Sequence, residues 1–413
     1  MRGGAPKRGV VRVPGDKSIS HRALLLGALA PGVSTIRGLS PGADVASTRQ
    51  AIGQLGASFD GDRIRGGELH APHDAIDAGN SGTTMRLLSG ICASRPWQSE
   101  LRGDESLSRR PMDRVAQPLT RMGADVRGQG ASVLPPLVIK GAALTGIDYE
   151  LPVASAQVKA AVLLAGLHAE GETVVRERVR TRAHTEEMLV RFGADVEVSD
   201  DGLTTRVRRS TIHPFEIDVP GDPSQAAFWI VAGVVVPGSE IAVSGVYLGA
   251  ARAGFLDVLR RMGAEIEVES RGDGTADIRA RHSRLRATAI NAEEIPGLVD
   301  ELPVLAVAAA HAEGSTTVHG AAELRVKETD RIATITAELA RLGVDIAQQA
   351  DGFVVRGPTR GWHGAELESH GDHRVAMALA VAASAIGDDS VIRGWDAVGI
   401  SYPGFGEELA ACG

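Results

Sequence analysis

The sequence predicts a two-domain α/β protein built from six copies of one unit. In six segments, an apolar helix rich in small residues is followed by a turn and a short β-branched strand. The six strands end 65 to 75 residues apart, at Gly38, Gly103, Glu177, Gly245, Gly320 and Gly394. Five units also show a second marker, in which an amphipathic helix closes with Gly and leads into a strand, as in RMGADV and RFGADV.

Each unit is predicted to run helix, strand, second helix, hairpin. Segments such as VEVSDDGLTTRVRR combine β-type patterns with a DG turn, which is typical of antiparallel hairpins. A unit of about 70 residues is too short to bury two helices and a sheet face by itself, so we expect the units to associate three and three. The polar stretch DVPGDPSQ, residues 218–225, is the expected linker.

Composition favours a cytoplasmic enzyme of small molecules. The net charge of −8 and an aromatic content of 3% argue against nucleic acid as a partner. The longest apolar runs, residues 375–387 and 228–236, are shorter than the roughly 20 residues that span a bilayer, and the basic N-terminus has no apolar segment after it. Cys92 and Cys412 alone predict neither a disulfide framework nor a Cys-based metal site.

Cations lie at or near the predicted starts of helices, where the helix dipole disfavours them. Asp, Ser, Asn and Thr at these starts, as in DPSQ, are ordinary N-caps. Each cation alone would be explained by a solvated salt bridge. Together, in an acidic protein, they predict a cleft that binds anions: Lys17, Arg22, Arg86, Arg110, Lys159, Arg182, Lys327, Arg331 and Arg374.

Other chemistries fit less well. GDKS is not a P-loop, because that motif requires Gly directly before the Lys, where Asp16 stands. HGDH at residues 370–373 has no carboxylate and His cluster at metal-ligand spacing, so we expect no metal and no cofactor. No Gly-x-Ser-x-Gly elbow or Cys/His arrangement suggests acyl transfer.

Seven motifs resemble the 5-enolpyruvylshikimate-3-phosphate synthase family of enolpyruvyl transferases: PGDKSISHRAL, GNSGTTMRLL, SRRPMDR, SAQVKAAVLLAGL, VPGDPSQAAFW, ELRVKETDRI and GDHRVAMALA. The resemblance covers essentially the whole chain. It implies two domains of three βαβαββ repeats each, like inverse α/β barrels, with the active site in the cleft between them. It implies residues 14–219 on the shikimate-phosphate side, and residues 1–13 with 220–413 on the phosphoenolpyruvate and catalytic carboxylate side. It also implies transfer of the enolpyruvyl group of phosphoenolpyruvate to the 5-hydroxyl of shikimate 3-phosphate, by a monomer.

The site residues follow from the matched motifs. The resemblance implies that Lys17, Asp300 and Glu328 are catalytic: Lys17 in proton transfer, Asp300 as acceptor of the 5-hydroxyl proton, and Glu328 as a second acid or base. It places shikimate 3-phosphate on Lys17, Ser18, Arg22, Ser155, Ala156, Gln157, Arg182, Asp300 and Lys327. It places phosphoenolpyruvate, and the inhibitor glyphosate that the family binds there, on Lys17, Gly82, Arg110, Gln157, Arg331 and Arg374.

Alternatives remain open from the sequence, both for the roles of two carboxylates and for the function of the chain. From local sequence, Asp300 is also explained as an N-cap, and Glu328 as an ion-pair partner of Lys327 or Arg331. A second possible function is that of the sister transferases, which act on UDP-N-acetylglucosamine and commonly carry a reactive Cys on a loop. A third is that of a catalytically silent binding protein, which should have lost Lys17, Asp300 or Glu328. Departures from the family pattern resemble its divergent, often glyphosate-tolerant subclass: Leu87, Ala156, Arg182, Glu323 and Ile400.

Overall fold

The computed structural model describes residues 4–413 and divides into two compact units. One unit is Lys17–Val219, and the other joins the residues up to Asp16 with Pro220–Gly413. The chain therefore crosses between the units twice, after Asp16 and after Val219. The second crossing lies within the expected linker at residues 218–225, and the first comes three residues later than the expected boundary before residue 14.

The first half of the chain contains three repeats of the predicted kind. In chain order its elements are β1 (Arg8–Val11), α1 (Lys17–Leu29), β2 (Gly32–Arg37), α2 (Ala43–Gln54), β3 (Ser58–Asp60), β4 (Arg63–Gly66), β5 (Ile76–Asp77), α3 (Gly82–Ala93), β6 (Gln98–Arg102), α4 (Asp113–Arg121), β7 (Asp125–Gln129), β8 (Leu134–Lys140), β9 (Asp148–Glu150), α5 (Ala156–Gly166), β10 (Glu172–Arg176), α6 (His184–Arg191), β11 (Val196–Val198), β12 (Thr204–Arg208) and β13 (Glu216–Asp218).

The second half repeats the pattern with a shortened end. Its elements are α7 (Pro223–Val235), β14 (Glu240–Tyr247), α8 (Gly254–Arg261), β15 (Glu265–Ser270), β16 (Thr275–Arg281), β17 (Ala289–Ile290), α9 (Leu302–His311), β18 (Gly314–Val318), α10 (Arg331–Arg341), β19 (Asp345–Gln349), β20 (Gly352–Gly357), β21 (Glu366–Glu368), α11 (His373–Ser384), β22 (Val391–Arg393) and α12 (Phe405–Ala411). Short 3-10 helices cover Leu107–Arg109, Ile295–Gly297, Ala322–Val326 and Trp395–Ile400.

Five four-stranded sheets share one topology, in which a parallel pair is extended by an antiparallel hairpin. Their strand orders are β5-β6-β8-β7, β9-β10-β12-β11, β17-β18-β20-β19, β13-β2-β4-β3 and β1-β14-β16-β15. In the last two sheets the first strand is far in sequence from the strand it pairs with: β1 pairs with β14, and β13 pairs with β2. The sixth sheet is the pair β21-β22, because α12 stands where the other repeats have their hairpin.

The first helix of each repeat lies in the core. Every residue of α7 is buried, and α7, α9 and α11 contact one another. In the other unit α3 packs so tightly on α5 that a Cβ on Gly90 would lie 2.2 Å from the carbonyl oxygen of Ala161. The second helices are amphipathic, as α8 shows by burying Phe255, Leu256, Val258 and Leu259. Small, apolar residues all round the first helices are therefore explained by burial on every side. Across residues 4–413, no helix has the length and apolar character needed to cross a bilayer.

Candidate active site

The polar residues before the central helices are N-caps, as the simpler interpretation predicts. The Ser81 hydroxyl accepts from the Thr84 N–H at the start of α3, and Ser155 caps α5 through the Val158 N–H. Asp222 caps α7 and Asp372 caps α11. Capping leaves the neighbouring cations unexplained, because their charges add to the positive end of each helix dipole.

Lys17 and Arg22 lie on the first turns of α1. The Lys17 ammonium forms an ion pair of 2.9 Å with the Asp44 carboxylate on α2, and its side chain is 16% exposed. The Arg22 guanidinium is buried, donates at 2.6 Å to the Thr185 hydroxyl of α6, and donates at 3.0 Å to the carbonyl oxygen of Ser18. Two cations therefore lie at the positive end of this helix, and each contacts a residue of a different neighbouring helix.

A buried chain of hydrogen bonds links the starts of α1 and α3. His21 Nδ1 lies 2.6 Å from the Thr48 hydroxyl, which lies 2.6 Å from the Thr84 hydroxyl, which donates at 2.7 Å to Ser81. Burial, followed by the nearby charges of Lys17 and Arg22, lowers the pKa of His21 well below its ordinary value. A neutral imidazole is thus a rigid spacer here, and it adds no charge to the site.

Gly82, Arg110 and Gln157 come together at the start of α3. Arg86 donates to the Gln157 amide oxygen at 2.7 Å, and the Gln157 amide donates to the Thr83 hydroxyl at 2.9 Å. A Cβ placed on Gly82 would lie 2.8 Å from Arg86 Nη1 and 3.4 Å from Arg110 Nη1. Gly82 does not have a left-handed backbone. Its missing side chain therefore leaves room for two guanidinium groups beside the helix start.

The remaining expected residues of this unit lie around α5 and α6. Ser155 is the N-cap of α5, and Ala156 is its first helical residue. Arg182 is half-buried in the segment before α6, three residues from Thr185, the partner of Arg22.

Lys159, which we expected among the anion-binding cations, is buried in an ion triad. Its ammonium lies 2.6 Å from Glu177 and 2.7 Å from Glu186, and its side chain is 1% exposed. Two carboxylates already neutralise this charge, so the anion-binding interpretation is wrong for Lys159.

In the other unit, the Arg331 guanidinium forms ion pairs with three carboxylates. Its Nε lies 2.8 Å from Asp372, its Nη1 3.2 Å from Asp300, and its Nη2 2.6 Å from Glu328. The Arg331 side chain is 1% exposed, whereas those of Asp300 and Glu328 are each 20% exposed. Burial lowers the pKa of Arg331, but the attraction of Asp372, Glu328 and Asp300 outweighs burial and raises that pKa above its ordinary value. A permanently charged guanidinium thus holds two solvent-accessible carboxylates.

Arg374 and Lys327 complete this cluster. Arg374 Nη2 lies 3.7 Å from Asp300, while its buried Nε and Nη1 have no hydrogen-bond partner in the described part of the chain. Burial lowers the pKa of Lys327 from its ordinary value, against the opposing effects of Glu323, Asp300 and Glu328. Unsatisfied buried donors are costly, so the Arg374 guanidinium is suited to an anion that accepts two hydrogen bonds.

The arrangement in this unit suits acid–base chemistry on an anionic molecule. Asp300 and Glu328 can exchange protons with a bound molecule, and Arg331 and Arg374 can hold its negative groups. Asp300 is not an N-cap, because Glu301 occupies the cap position of α9. Within residues 4–413, no three His, Cys, Asp or Glu side chains are grouped so that they could hold a metal ion.

Two carboxylates at the site were not selected from the sequence. Asp44 lies 27 residues from Lys17, in a helix with no motif of its own, so no local signal pointed to it. Asp372 stands in the HGDH stretch, which we had weighed only as a metal site. Its position before a helix whose second residue is Arg374 could have suggested a cap shared with an Arg.

Comparisons with known proteins identify the fold and the family of this chain. The enolpyruvyl transferase NikO from Streptomyces tendae has the same fold, with a TM-score of 0.81 at 21% identity over 100% of this chain and 96% of that one. The chain therefore has the fold of an enolpyruvyl transferase. The family model of EPSP synthase (3-phosphoshikimate 1-carboxyvinyltransferase) matches residues 1–409, and the chain belongs to this family.

Individual relatives are similar over nearly their full length. The 3-phosphoshikimate 1-carboxyvinyltransferase of Gloeobacter violaceus is 51% identical over 416 residues, covering 97% of this chain and 96% of the relative. The EPSP synthase structure from Acinetobacter baumannii has a TM-score of 0.87 at 40% identity, and the match covers 100% of this chain and 97% of that chain.

Proposed function

We propose that this protein transfers the enolpyruvyl group of phosphoenolpyruvate to the 5-hydroxyl of shikimate 3-phosphate and releases phosphate, in chorismate and aromatic amino acid biosynthesis. The observation that carries the proposal is the Arg331 cluster. There, two accessible carboxylates and a guanidinium with unused donors stand together in a chain of the EPSP synthase family.

The reaction needs proton transfers at two atoms, the 5-hydroxyl oxygen and the methylene carbon of phosphoenolpyruvate. The 5-hydroxyl oxygen attacks C2 of phosphoenolpyruvate while its proton leaves and the methylene carbon gains one. The C2–phosphate bond then breaks as the carbon proton is lost, which restores the double bond. Asp300 takes the hydroxyl proton. Glu328 and Lys17 together give the methylene carbon its proton and later remove one. Burial destabilises the Lys327 ammonium and lowers its pKa, and an anionic oxygen of the acceptor would stabilise the charged form again.

The anionic groups of the substrates require separate cationic positions. We assign the shikimate phosphate to Lys17, Ser18, Arg22 and the start of α5 at Ser155, Ala156 and Gln157, with Arg182 and Lys327 at other oxygens. We assign phosphoenolpyruvate to Gly82, Arg110, Gln157, Arg331 and Arg374, with Lys17 shared. The support within each unit is that Gly82, Arg110 and Gln157 lie together at the start of α3, and that Arg331 and Arg374 both contact Asp300. We further propose that the enzyme is a monomer in the cytoplasm, where its two free cysteines would stay reduced.

Phosphate release tests the proposal directly. The purified protein is incubated with phosphoenolpyruvate and either shikimate 3-phosphate or UDP-N-acetylglucosamine, and phosphate and the enolpyruvyl product are measured. We expect turnover with shikimate 3-phosphate only. Turnover with the nucleotide sugar would assign the chain to the sister activity, and binding of both substrates without turnover would indicate a silent binding protein.

A further inference from the structure

A second buried ionic network lies outside the residues assigned above, around Arg252. This residue precedes α8, and its side chain is 2% exposed. Its Nη2 donates to Asp16 at 2.7 Å and to Asp222 at 2.8 Å, and its Nη1 donates to the Ser224 hydroxyl at 3.0 Å. Ser224 in turn donates to Glu301, whose carboxylate lies 3.9 Å from Arg252. One guanidinium thus serves three carboxylates that are all buried.

The three carboxylates occupy special places in the chain. Asp16 is the last residue before the first crossing and is bonded covalently to Lys17. Asp222 follows the second crossing and caps α7. Glu301 directly follows Asp300 and stands immediately before α9. Each partner of Arg252 is therefore next to a proposed catalytic residue or at a chain crossing.

The two crossings are also bonded to each other. The Asp16 N–H donates to the Pro220 carbonyl at 2.7 Å, and the Asp222 N–H donates to the Pro14 carbonyl at 2.9 Å. Gly15 and Gly221 form an antiparallel bridge between them. Because the two segments are hydrogen-bonded to each other, a side chain that holds one carboxylate of the pair restrains the other as well.

Only an arginine meets the geometry of this network. Burial lowers the pKa of Arg252, but Asp16, Asp222 and Glu301 outweigh burial and raise it, so the group stays charged. A planar fork can bind two carboxylates and a hydroxyl at once, whereas the single ammonium of Lys cannot reach all three in fixed directions.

We propose that Arg252 is a positioning residue for the reaction: it anchors the paired chain crossings, and through Asp16 the backbone that enters Lys17, to the segment that carries Asp300. The inference rests on the proposed function. Buried charge pairs are poor sources of net stability, so fixing the directions of these segments is a better account of the network than added stability.

Two variants and a matched control test this role. Arg252→Lys keeps the charge and loses the fork, and Ser224→Ala removes the hydroxyl bridge to Glu301 while leaving every charge in place. Arg261→Lys, on α8 but 41% exposed and paired with Glu294, is the control. Melting temperature, kcat, both KM values and the pH profile of kcat are measured for each.

We expect both variants to lower kcat by roughly tenfold or more, since small misplacements of reacting groups cost this much, and to shift the pH profile that reports Asp300. The control should match the wild type. If Arg252→Lys does not fold, Ser224→Ala alone decides. Wild-type kcat and an unchanged pH profile in a folded variant would overturn the role of Arg252 without touching the proposed function, whereas an inactive wild type would overturn the proposed function.

Discussion

Replacing Gly82 by Ala adds one methyl group at the most crowded point of the α3 helix start. The new Cβ would lie 2.8 Å from Arg86 Nη1, and a comfortable contact needs about 3.5 Å. The Arg86 guanidinium must therefore move by more than about half an ångström. Its hydrogen bond to Gln157, now 2.7 Å long, would then be weakened or lost.

The size of the effect follows from that hydrogen bond. Hydrogen bonds to charged groups contribute about 1.5–3 kcal/mol, and about 1.4 kcal/mol corresponds to a tenfold change in binding. Gln157 and the neighbouring Arg110 are both assigned to phosphoenolpyruvate. We therefore expect KM for phosphoenolpyruvate to rise by about tenfold. KM for shikimate 3-phosphate, to which Gln157 but neither Gly82 nor Arg110 is assigned, should rise by a smaller factor. The inhibition constant of glyphosate, a longer molecule, should rise by a larger factor than KM.

Folding should not suffer from this change. Gly82 is helical, and Ala is favoured over Gly in helices by up to about 1 kcal/mol, so the melting temperature should stay the same or rise. Gly53→Ala in α2 is the matched control, because a Cβ there meets only Phe59, at 3.9 Å. Steady-state phosphate release measures all constants. A phosphoenolpyruvate KM that is unchanged, or that rises equally in both variants, would refute the reasoning.

Three further perturbations address catalysis, backbone strain and pH. Glu328→Gln keeps an acceptor for Arg331 but carries no exchangeable proton, so kcat should fall by roughly 10²-fold with little change in shikimate 3-phosphate affinity; near-normal turnover would leave Glu328 as an ion-pair partner only. His370 has a left-handed backbone with φ of 54°, and both His370→Gly and His370→Ala lose its contact with Glu338. In urea unfolding, the Gly variant should therefore be more stable than the Ala variant by about 0.5–1 kcal/mol. The opposite order would argue against strain at this position. Burial, followed by the charge of Arg95, lowers the pKa of His168 to about 4. Its contribution to the free energy of unfolding is therefore present above about pH 6.5 and is lost as the pH falls through 4. The loss of stability between about pH 7 and 4.5 should be smaller in His168→Gln, and an equal loss would count against this assignment.

Much of the fold could be predicted because it repeats. The apolar helix, turn and strand recur locally in every unit, and the DG hairpins are short-range features, so element types and the six repeats were readable. The sequence analysis did not predict that β1 and β13 would each pair with a distant strand. These strands pair with β14 and β2, more than 170 residues away, and a strand of three or four residues carries no signal that selects its neighbour.

The candidate site was predicted unevenly for a similar reason. Motif matches selected Asp300, Glu328, Arg331 and Arg374, and the structure brings these four side chains into contact. Asp372, which pairs with Arg331 and caps the helix that carries Arg374, was missed, because its role depends on the meeting of two helix starts. The substrate contacts of all these residues stay predictions.

The sequence by itself determined the repeat, the types of its elements, the family and the concentration of cations at helix starts, because each of these is written in short stretches of chain. Only the tertiary structure decided which strands share a sheet and which charges are already neutralised. Lys159 and Arg374 look alike in the sequence, each in the first turns of a buried helix. Lys159 meets two carboxylates at 2.6 and 2.7 Å, whereas Arg374 has two buried donors without a hydrogen-bond partner among residues 4–413. Charge neutralisation acts over a few ångströms in space, and only folding brings Glu177, Glu186 or Asp300 within that distance.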